Sequence, residues 1–176
     1  MGRIWFALGM LLLGMGWAQG VEDSLEALRK ASPEEAIQLA KRWREEGRGV
    51  MSFLTPQFIQ FEEFSTRAKV RVELPKDRMV VAVAPYRSFT HPCATHYFSS
   101  CTGEMKNLPF QVRVLDDKRE VVFEGVVRTG ADGFFELWLP RNKRFSLEIR
   151  HGSWEARGRV ATFEDSPTCL TTFRLQ

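Results

Sequence analysis

Hydrophobic residues recur with two different periods along this chain, and the period changes near Phe53. Before that point, apolar residues fall at every third or fourth position, which is the spacing of a helix with one buried face. After it, apolar and charged residues alternate, as in Lys69-Val70-Arg71-Val72, which is typical of a half-buried strand. The pattern predicts a mainly β protein with a small α-helical segment at its amino-terminal end.

The main helix has a clear start signal. Ser32-Pro33-Glu34-Glu35 combines a capping serine, a proline suited to the first helical position and a glutamate that completes a capping box. The apolar face that follows extends to Trp43, and Gly47 marks the stop. The charged residues of this helix, Lys41 and Arg44 among them, are assigned mostly to the opposite, solvent-facing side. We interpret the helix as a cover over one end of the β domain.

A series of short strand-like segments follows the helix. Turn residues such as proline, aspartate and glycine separate them, and this spacing favours a β-sandwich or a barrel. The strand, Asp-Gly turn and aromatic strand at 123–135 also resemble small immunoglobulin-like and transthyretin-like modules, so we predict a β-sandwich of that general type. The run 79–84 is continuously apolar and predicts a more buried strand than the others. The predicted strands cover residues 70–74, 79–84, 110–114, 121–127, 134–139, 145–149, 155–162 and 169–175.

Residues 1–18 are predicted to be a secretory signal peptide. Arg3 precedes a run of apolar residues, and Gly16-Trp17-Ala18 presents small residues at the two positions that a signal peptidase reads. The run is shorter than the roughly 20 residues of a membrane span, which disfavours an uncleaved anchor. We therefore divide the chain into a signal peptide at 1–18, a helical segment at 19–63 and a β-sandwich domain at 64–176. The mature protein is expected to be soluble and periplasmic or secreted.

The segment 87–109 breaks the strand pattern and concentrates the reactive side chains. It is long for a connection in a compact domain, and long loops are usually functional. It contains Cys93 and Cys101, two of the three cysteines of the chain, and His91 and His96, two of its three histidines. We expect this loop to be the functional part of the molecule.

The third cysteine, Cys169, lies far away in sequence on the last predicted strand. It shares one face of that strand with Phe173 and Leu175, because side chains two apart point the same way. If that face is the core side, Cys169 points inward near the start of the strand. A loop folded over this end of the sheet would bring Cys93 and Cys101 next to it.

Three thiolates with histidines nearby form a ligand set for a soft metal ion. An odd number of cysteines in an exported protein cannot be consumed entirely by internal disulfides, and polarizable sulfur binds Cu(I) far better than oxygen does. His96 or His91 would alternatively complete a Cys3His site for zinc. The spacing of Cys93 and Cys101 fits neither a zinc ribbon nor a thioredoxin-type motif. From the residues alone, a structural disulfide with one inert buried thiol also stays open.

Two motifs in combination are specific: a Cys-x7-Cys-x-Gly-Glu loop and a carboxy-terminal Thr-Cys-x-Thr-Thr. They stand here as Cys93 to Glu104 and Thr168-Cys169-Leu170-Thr171-Thr172, preceded by Ala84-Pro85-Tyr86 and Thr90-His91-Pro92. In this order, over nearly all of the mature chain, the motifs resemble the CueP family of periplasmic copper-binding proteins. The resemblance implies that Cys93, Cys101 and Cys169 are Cu(I) ligands, with His96 and His91 as auxiliary candidates.

The function that the resemblance implies is copper supply or copper resistance in the cell envelope, as a chaperone or a sequestering protein. Such a protein is not an enzyme, although thiol-dependent Cu(II) reduction is associated with the family. Copper is the expected ligand, and a periplasmic copper-accepting protein and a thiol reductase are the expected partners. An unpaired cysteine also allows a homodimer.

Two other classes of function stay open. One is a thiol redox protein in which the three cysteines shuttle electrons, and the other is an interaction module stapled by a disulfide. A net charge of +3 with interspersed signs does not indicate a nucleic-acid partner. No membrane association is expected after cleavage of the signal peptide.

Overall fold

The computed structural model of this protein describes residues 25–176. The predicted signal peptide at 1–18 lies outside these residues and stays a prediction. Within the described part of the chain, no helix is both long enough and apolar enough to cross a bilayer.

The described residues form two short helices and eleven strands. In chain order they are a 3-10 helix (Ala27–Arg29), α1 (Pro33–Glu45), β1 (Val50–Leu54), β2 (Phe58–Glu63), β3 (Lys69–Glu73), β4 (Arg78–Val83), β5 (His96–Tyr97), β6 (Pro109–Asp116), β7 (Val121–Arg128), β8 (Phe135–Pro140), β9 (Arg144–His151), β10 (Trp154–Ala161) and β11 (Cys169–Leu170). They make three sheets, with strand orders β3-β2-β1-β5, β10-β9-β6-β7 and β11-β4-β8. Among these strands, β11 and β4 pair in parallel and the other pairs are antiparallel.

Strand β4 is central to the fold because both of its faces are buried. Met79, Val81 and Val83 belong to a core shared with β6, β9 and β10. Val80, on the opposite face, belongs to a second core with α1 and the first sheet. The more buried strand predicted from the continuous apolar run 79–84 is therefore confirmed.

Helix α1 covers the first sheet. Ser32 Oγ accepts the N–H of Glu35 at 3.2 Å, and the Glu35 carboxylate accepts the N–H of Ser32 at 2.7 Å, so the predicted capping box is confirmed. Ile37, Ala40 and Trp43 are buried against residues of β1, β2 and β3. The amphipathic pattern thus correctly predicts which face of the helix packs on the sheet.

The mainly β class with a helix near the amino-terminal end is confirmed, while the immunoglobulin-like or transthyretin-like assignment stays a prediction. The segment 19–63, predicted as helical, also contains β1 and β2. Strand β2 does not alternate, since the four residues 59–62 are all buried. Moreover, β2 pairs with β3 across the boundary predicted between residues 63 and 64. The helical part is therefore shorter than the pattern indicates.

The last predicted strand, 169–175, is interrupted after two residues. Only Cys169–Leu170 is regular strand, yet the alternation of side chains continues to the end of the chain. Cys169, Phe173 and Leu175 are each no more than 2% exposed. The predicted inward face of this segment is confirmed.

Two glycine backbones touch where the cysteine loop crosses the turn before β8. The N–H of Gly103 donates to the carbonyl oxygen of Asp132 at 2.7 Å. A Cβ on Gly133 would lie 2.6 Å from the carbonyl oxygen of Gly103, and Gly133 has a φ of +82°. The contact requires the absence of a side chain, and it fixes the chain just after Cys101.

Replacing Gly133 by alanine is expected to lower the free energy of unfolding by about 2 kcal/mol or more, because a left-handed backbone and a steric clash act together. Chemical denaturation measures the loss. Gly47→Ala is the matched control, since Gly47 has a φ of +67° and nothing within 4 Å of the added Cβ. Equal losses in the two variants would show that the glycine contact does not brace the loop.

Candidate metal centre

Cys93 and Cys101 lie on either side of the short strand β5. This strand pairs with β1, so the middle of the cysteine loop is anchored to the first sheet. After β5 the chain turns back, and the N–H of Cys101 donates to the carbonyl oxygen of Tyr97 at 2.8 Å. The turn brings the Sγ atoms of Cys93 and Cys101 to 3.6 Å.

Cys169 reaches the same place from the other end of the chain. In the parallel pairing of β11 with β4, Cys169 stands opposite Ala82. Its side chain is 2% exposed and belongs to a small cluster with Ala82, Ala84 and Phe134. Because alanine side chains are short, the β4 backbone leaves room for sulfur on this face.

Thr168 ties the cysteine loop to the strand that carries Cys169. Its Oγ1 donates to the carbonyl oxygen of Leu54 at 2.8 Å and accepts the N–H of His96 at 3.1 Å. The carbonyl oxygen of Ala94 accepts the N–H of Thr168 at 2.9 Å and that of Cys169 at 3.2 Å. The structure therefore explains the threonine before Cys169 in the motif, because its one hydroxyl forms hydrogen bonds with two backbone groups.

The sulfur atoms converge at distances suited to a single metal ion. The Sγ atoms of Cys101 and Cys169 and a ring nitrogen of His96 lie within 4.8 Å of one another, in addition to the 3.6 Å contact between Cys93 and Cys101. Metal–thiolate bonds of about 2.3 Å place the sulfur atoms of a trigonal or tetrahedral site about 4 Å apart. None of the three cysteines is in a disulfide. Cys101 is therefore the cysteine that lies close to both of the others.

His96 lies on the inner side of the cysteines. Its side chain is fully buried, with ring centroids 4.6 Å from Phe98 and 4.4 Å from Phe134. Nδ1 lies 3.9 Å from the Sγ of Cys169. The structure therefore places this predicted auxiliary residue beneath the sulfur atoms, away from solvent.

His91 lies on the outer side of the same cluster. A ring nitrogen of His91 and the sulfur atoms of Cys93 and Cys101 lie within 4.8 Å of one another. These three residues, with Tyr97 and Thr102, line a surface pocket of about 590 Å³. The two predicted histidines thus lie on opposite sides of the cysteines, and the pocket gives access to the outer pair of sulfurs.

Negative charge in the metal-free cluster concentrates on Cys101. A hydrogen bond from the Cys169 thiol, supported by His96 and by the N–H of Tyr97 at 3.3 Å, lowers the pKa of Cys101 to about 3 against the effect of burial. Burial raises the pKa of Cys93 to about 11. The pKa of Cys169 is raised because its thiol is held as a donor to Cys101 and because it is buried. The site therefore holds one thiolate and two thiols at neutral pH.

Helix α1 supplies a cation to the cysteine loop. Arg44 donates from Nη1 to the carbonyl oxygens of Cys101 and Phe98, and from Nη2 to Thr102 Oγ1 at 2.7 Å. The assignment of Arg44 to the solvent-facing side is therefore wrong. Arg44 follows Ala40 by four residues, and residues four apart share a helix face. That spacing is the sequence signal that would have found it.

Glu104 anchors the beginning of the loop, residues 87–89. Its carboxylate accepts the N–H groups of Arg87 at 2.8 Å, Ser88 at 2.9 Å and Phe89 at 3.3 Å. Burial acts to raise the pKa of Glu104, but these backbone hydrogen bonds outweigh it and the pKa is lowered. The glutamate of the Gly-Glu motif is thus an ionised structural brace.

A family model described as periplasmic copper-binding protein CueP matches residues 39–174 of this chain. A solved structure, the crystal structure of S.CueP, is similar with a TM-score of 0.77 and 30% sequence identity, over 86% of this chain and 92% of that chain. No curated protein sequence matches the chain. The chain belongs to the CueP family of periplasmic copper-binding proteins.

Family membership confirms the resemblance seen in the sequence motifs. It also confirms copper as the bound ion and the periplasm as the location, both at the level of the family description. The family description is that of a binding protein.

The lowered pKa of Cys101 predicts a persistent thiolate. In reduced, metal-free protein, the ultraviolet absorbance of one thiolate should stay constant from about pH 8 down to about pH 4, where ordinary thiols are protonated. The Cys101→Ser variant should lose this absorbance. Cys93→Ser is the control and should keep it, since Cys93 is a thiol over the same range. A parent protein without thiolate absorbance at neutral pH would contradict the assignment.

Proposed function

We propose that this protein binds one Cu(I) ion through the thiolates of Cys93, Cys101 and Cys169 and holds it for delivery or sequestration in the periplasm. The observation that supports this most strongly is that the sulfur of Cys101 lies close both to that of Cys93 and to that of Cys169, which is far later in the chain. Soft thiolate ligands favour Cu(I) over harder ions. Membership in a copper-binding family points to the same ion.

Three thiolates and one Cu(I) ion carry a net charge of −2, which needs nearby donors and cations. The N–H of Tyr97 already points at the Cys101 sulfur at 3.3 Å. Arg44 places a guanidinium behind the same residue, against its carbonyl oxygen. These groups are fixed before the metal arrives, so they need not move when it binds, while the Cys93 and Cys169 thiols lose their protons.

His96 is proposed as an auxiliary fourth donor. Its Nδ1 lies 3.9 Å from the Cys169 sulfur, which is close to the edge of a metal-centred tetrahedron with bonds of about 2.3 Å. A Cys3His set of this kind also suits zinc, so zinc is the ion most expected to compete. His91 is the weaker candidate because it lies on the open side of the cysteines.

The burial of the ligands suggests how copper enters and leaves. Cys93 and Cys101 line the surface pocket, whereas Cys169 is buried beneath them. An acceptor protein with its own thiolates can therefore exchange ligands first at the outer pair. This arrangement supports a delivery role better than a closed storage site would.

Serine substitution of the three cysteines tests the ligand set. Each of Cys93→Ser, Cys101→Ser and Cys169→Ser should weaken Cu(I) binding at least tenfold (about 1.4 kcal/mol), because each removes a soft ligand. Competition with a Cu(I) chelator under anaerobic conditions measures the affinity. His91→Gln is the matched control in the same pocket and should have a smaller effect than His96→Gln. Three serine variants that all bind as tightly as the parent would contradict the proposal.

A second function, thiol-dependent reduction of Cu(II), is favoured by the 3.6 Å contact between Cys93 and Cys101. Only a small movement separates these sulfur atoms from a disulfide bond. Oxidation of the Cys93 thiol and the Cys101 thiolate would form one disulfide, release one proton and reduce two Cu(II) ions to Cu(I). A thiol reductase would then restore the dithiol.

Counting products tests the reductase activity. Cu(II) added anaerobically to reduced protein should give two Cu(I) ions, trapped by a chelator, for each disulfide found by mass spectrometry. Cys93→Ser should stop disulfide formation, while Thr102→Ser, which changes the same pocket without removing a sulfur, should not. Cu(I) production that is unchanged in Cys93→Ser would exclude this pair as the electron source.

A further inference from the structure

The imidazole of His96 separates two different environments. On one side, Nδ1 faces the Cys169 sulfur at 3.9 Å. The other nitrogen, Nε2, is fully buried and has no hydrogen-bond partner among the described residues. A ring nitrogen of His96 and carboxylate oxygens of Asp132 and Glu136 lie within 4.8 Å of one another. Because Nδ1 is directed at Cys169, we infer that Nε2 is the ring nitrogen that faces the carboxylates of Asp132 and Glu136.

The two carboxylates have unused capacity to accept a hydrogen bond. Asp132 Oδ1 accepts the N–H of Phe134 at 2.9 Å, while Oδ2 is buried and accepts none. Glu136 Oε2 accepts from Lys41 Nζ at 2.8 Å, while Oε1 lies 2.7 Å from the same nitrogen as an ion pair without hydrogen-bond geometry. One buried donor and two buried acceptors thus lie close together without a hydrogen bond, although Lys41 forms ion pairs with both acceptors. The donor has no such compensation, and an unpaired buried donor is costly in a protein interior.

Lys41 shows that this acidic pair is not a second metal site. Its ammonium lies 2.7 Å from Glu136 and 3.5 Å from Asp132, in the place that a cation would take. The side chains of all three are at most 18% exposed. The assignment of Lys41 to the solvent-facing side of α1 is therefore wrong, as it is for Arg44. One ammonium between two carboxylates leaves a net negative charge on the far side of His96.

We propose that Asp132 and Glu136 are positioning residues for His96. A small shift from the present separation, which is within 4.8 Å, lets them accept its Nε2–H and hold the neutral imidazole in the tautomer whose Nδ1 lone pair points at the copper site. This rests on the proposed function, in which His96 is an auxiliary donor. A neutral imidazole has one donor nitrogen and one acceptor nitrogen, and the donor belongs on the side with two unsatisfied oxygens.

A carboxylate behind a metal-binding histidine fixes the ring orientation and raises the basicity of the ligand nitrogen. Here the carboxylates are held in turn by Lys41 of α1 and by the backbone of the turn before β8. Helix α1 therefore supports the metal centre from two sides, with Lys41 behind His96 and Arg44 behind Cys101. The two cations are three residues apart and lie on neighbouring parts of the helix surface.

Isosteric substitutions test the proposal with two independent readouts. Asp132→Asn and Glu136→Gln, singly and together, keep the side-chain shapes but replace strong acceptors by amides. The first readout is the imidazole 15N NMR spectrum of metal-free, reduced protein near neutral pH, with His96→Gln to assign the signal. The second is Cu(I) affinity by competition with a chelator. Glu148→Gln is the control, since Glu148 pairs with Arg157 on another sheet and its side chain is 22% exposed.

The parent protein should carry the His96 proton on Nε2, and the double variant should show a mixture of tautomers and bind Cu(I) about 10- to 100-fold more weakly. Each single variant should show part of this effect, so the single variants still test the proposal if the double variant does not fold. A parent with the proton on Nδ1 would overturn the proposal, as would variants in which tautomer and affinity both match those of Glu148→Gln. The tautomer is measured in metal-free protein, so its result does not depend on copper binding. Cysteine variants that bind copper as tightly as the parent would refute the proposed function without deciding the tautomer.

Discussion

The parallel pairing of β11 with β4 is the interaction on which the metal centre depends. It is only two residues long, yet it brings Cys169 to a loop more than sixty residues earlier in the chain. Thr168 reinforces it with hydrogen bonds to the carbonyl oxygen of Leu54 and the N–H of His96. Because so short a strand has little stability of its own, its position is set by these side-chain contacts and by the buried residues that follow it.

The centre is built from rigid parts that approach it from different directions. The first sheet holds β5, the central sheet holds Cys169, and α1 contacts the loop through Arg44. The backbone contact between Gly103 and Gly133 holds the loop against the turn before β8. A loop that carries two cysteines is thereby fixed at several points along its length. Such preorganisation reduces the entropy lost when a metal ion binds.

Much of the fold could be predicted from local sequence patterns. The capping box, the greater burial of β4 and the inward face that begins at Cys169 all follow from spacing and residue type. Strands β1 and β2 could not be assigned correctly, because β2 is buried on both faces and does not alternate. Its buried positions include Gln60 and Glu62, so β2 shows neither the alternation of a half-buried strand nor the continuous apolar run of β4.

The candidate ligands could also be proposed from the sequence, through cysteine chemistry and motifs, but the residues that support them could not. Lys41 and Glu136 are 95 residues apart, and Arg44 and Cys101 are 57 apart. A charged residue on a helix is ordinarily solvated, so nothing in its type alone indicates a distant carboxylate or carbonyl partner. Only the positions of Lys41 and Arg44, four residues after the buried Ile37 and Ala40, pointed to a buried flank. Contacts of this kind come from the tertiary arrangement of the chain.

The central claim is that three sulfur atoms bind one copper ion, and X-ray absorption spectroscopy of the Cu(I)-loaded protein tests it most directly. The account predicts a first shell dominated by sulfur at about 2.3 Å, the length of a metal–thiolate bond, with at most one nitrogen. The sulfur contribution should fall when Cys169 is replaced by serine. A first shell composed mainly of nitrogen and oxygen, or a sulfur shell that is unchanged without Cys169, would contradict it.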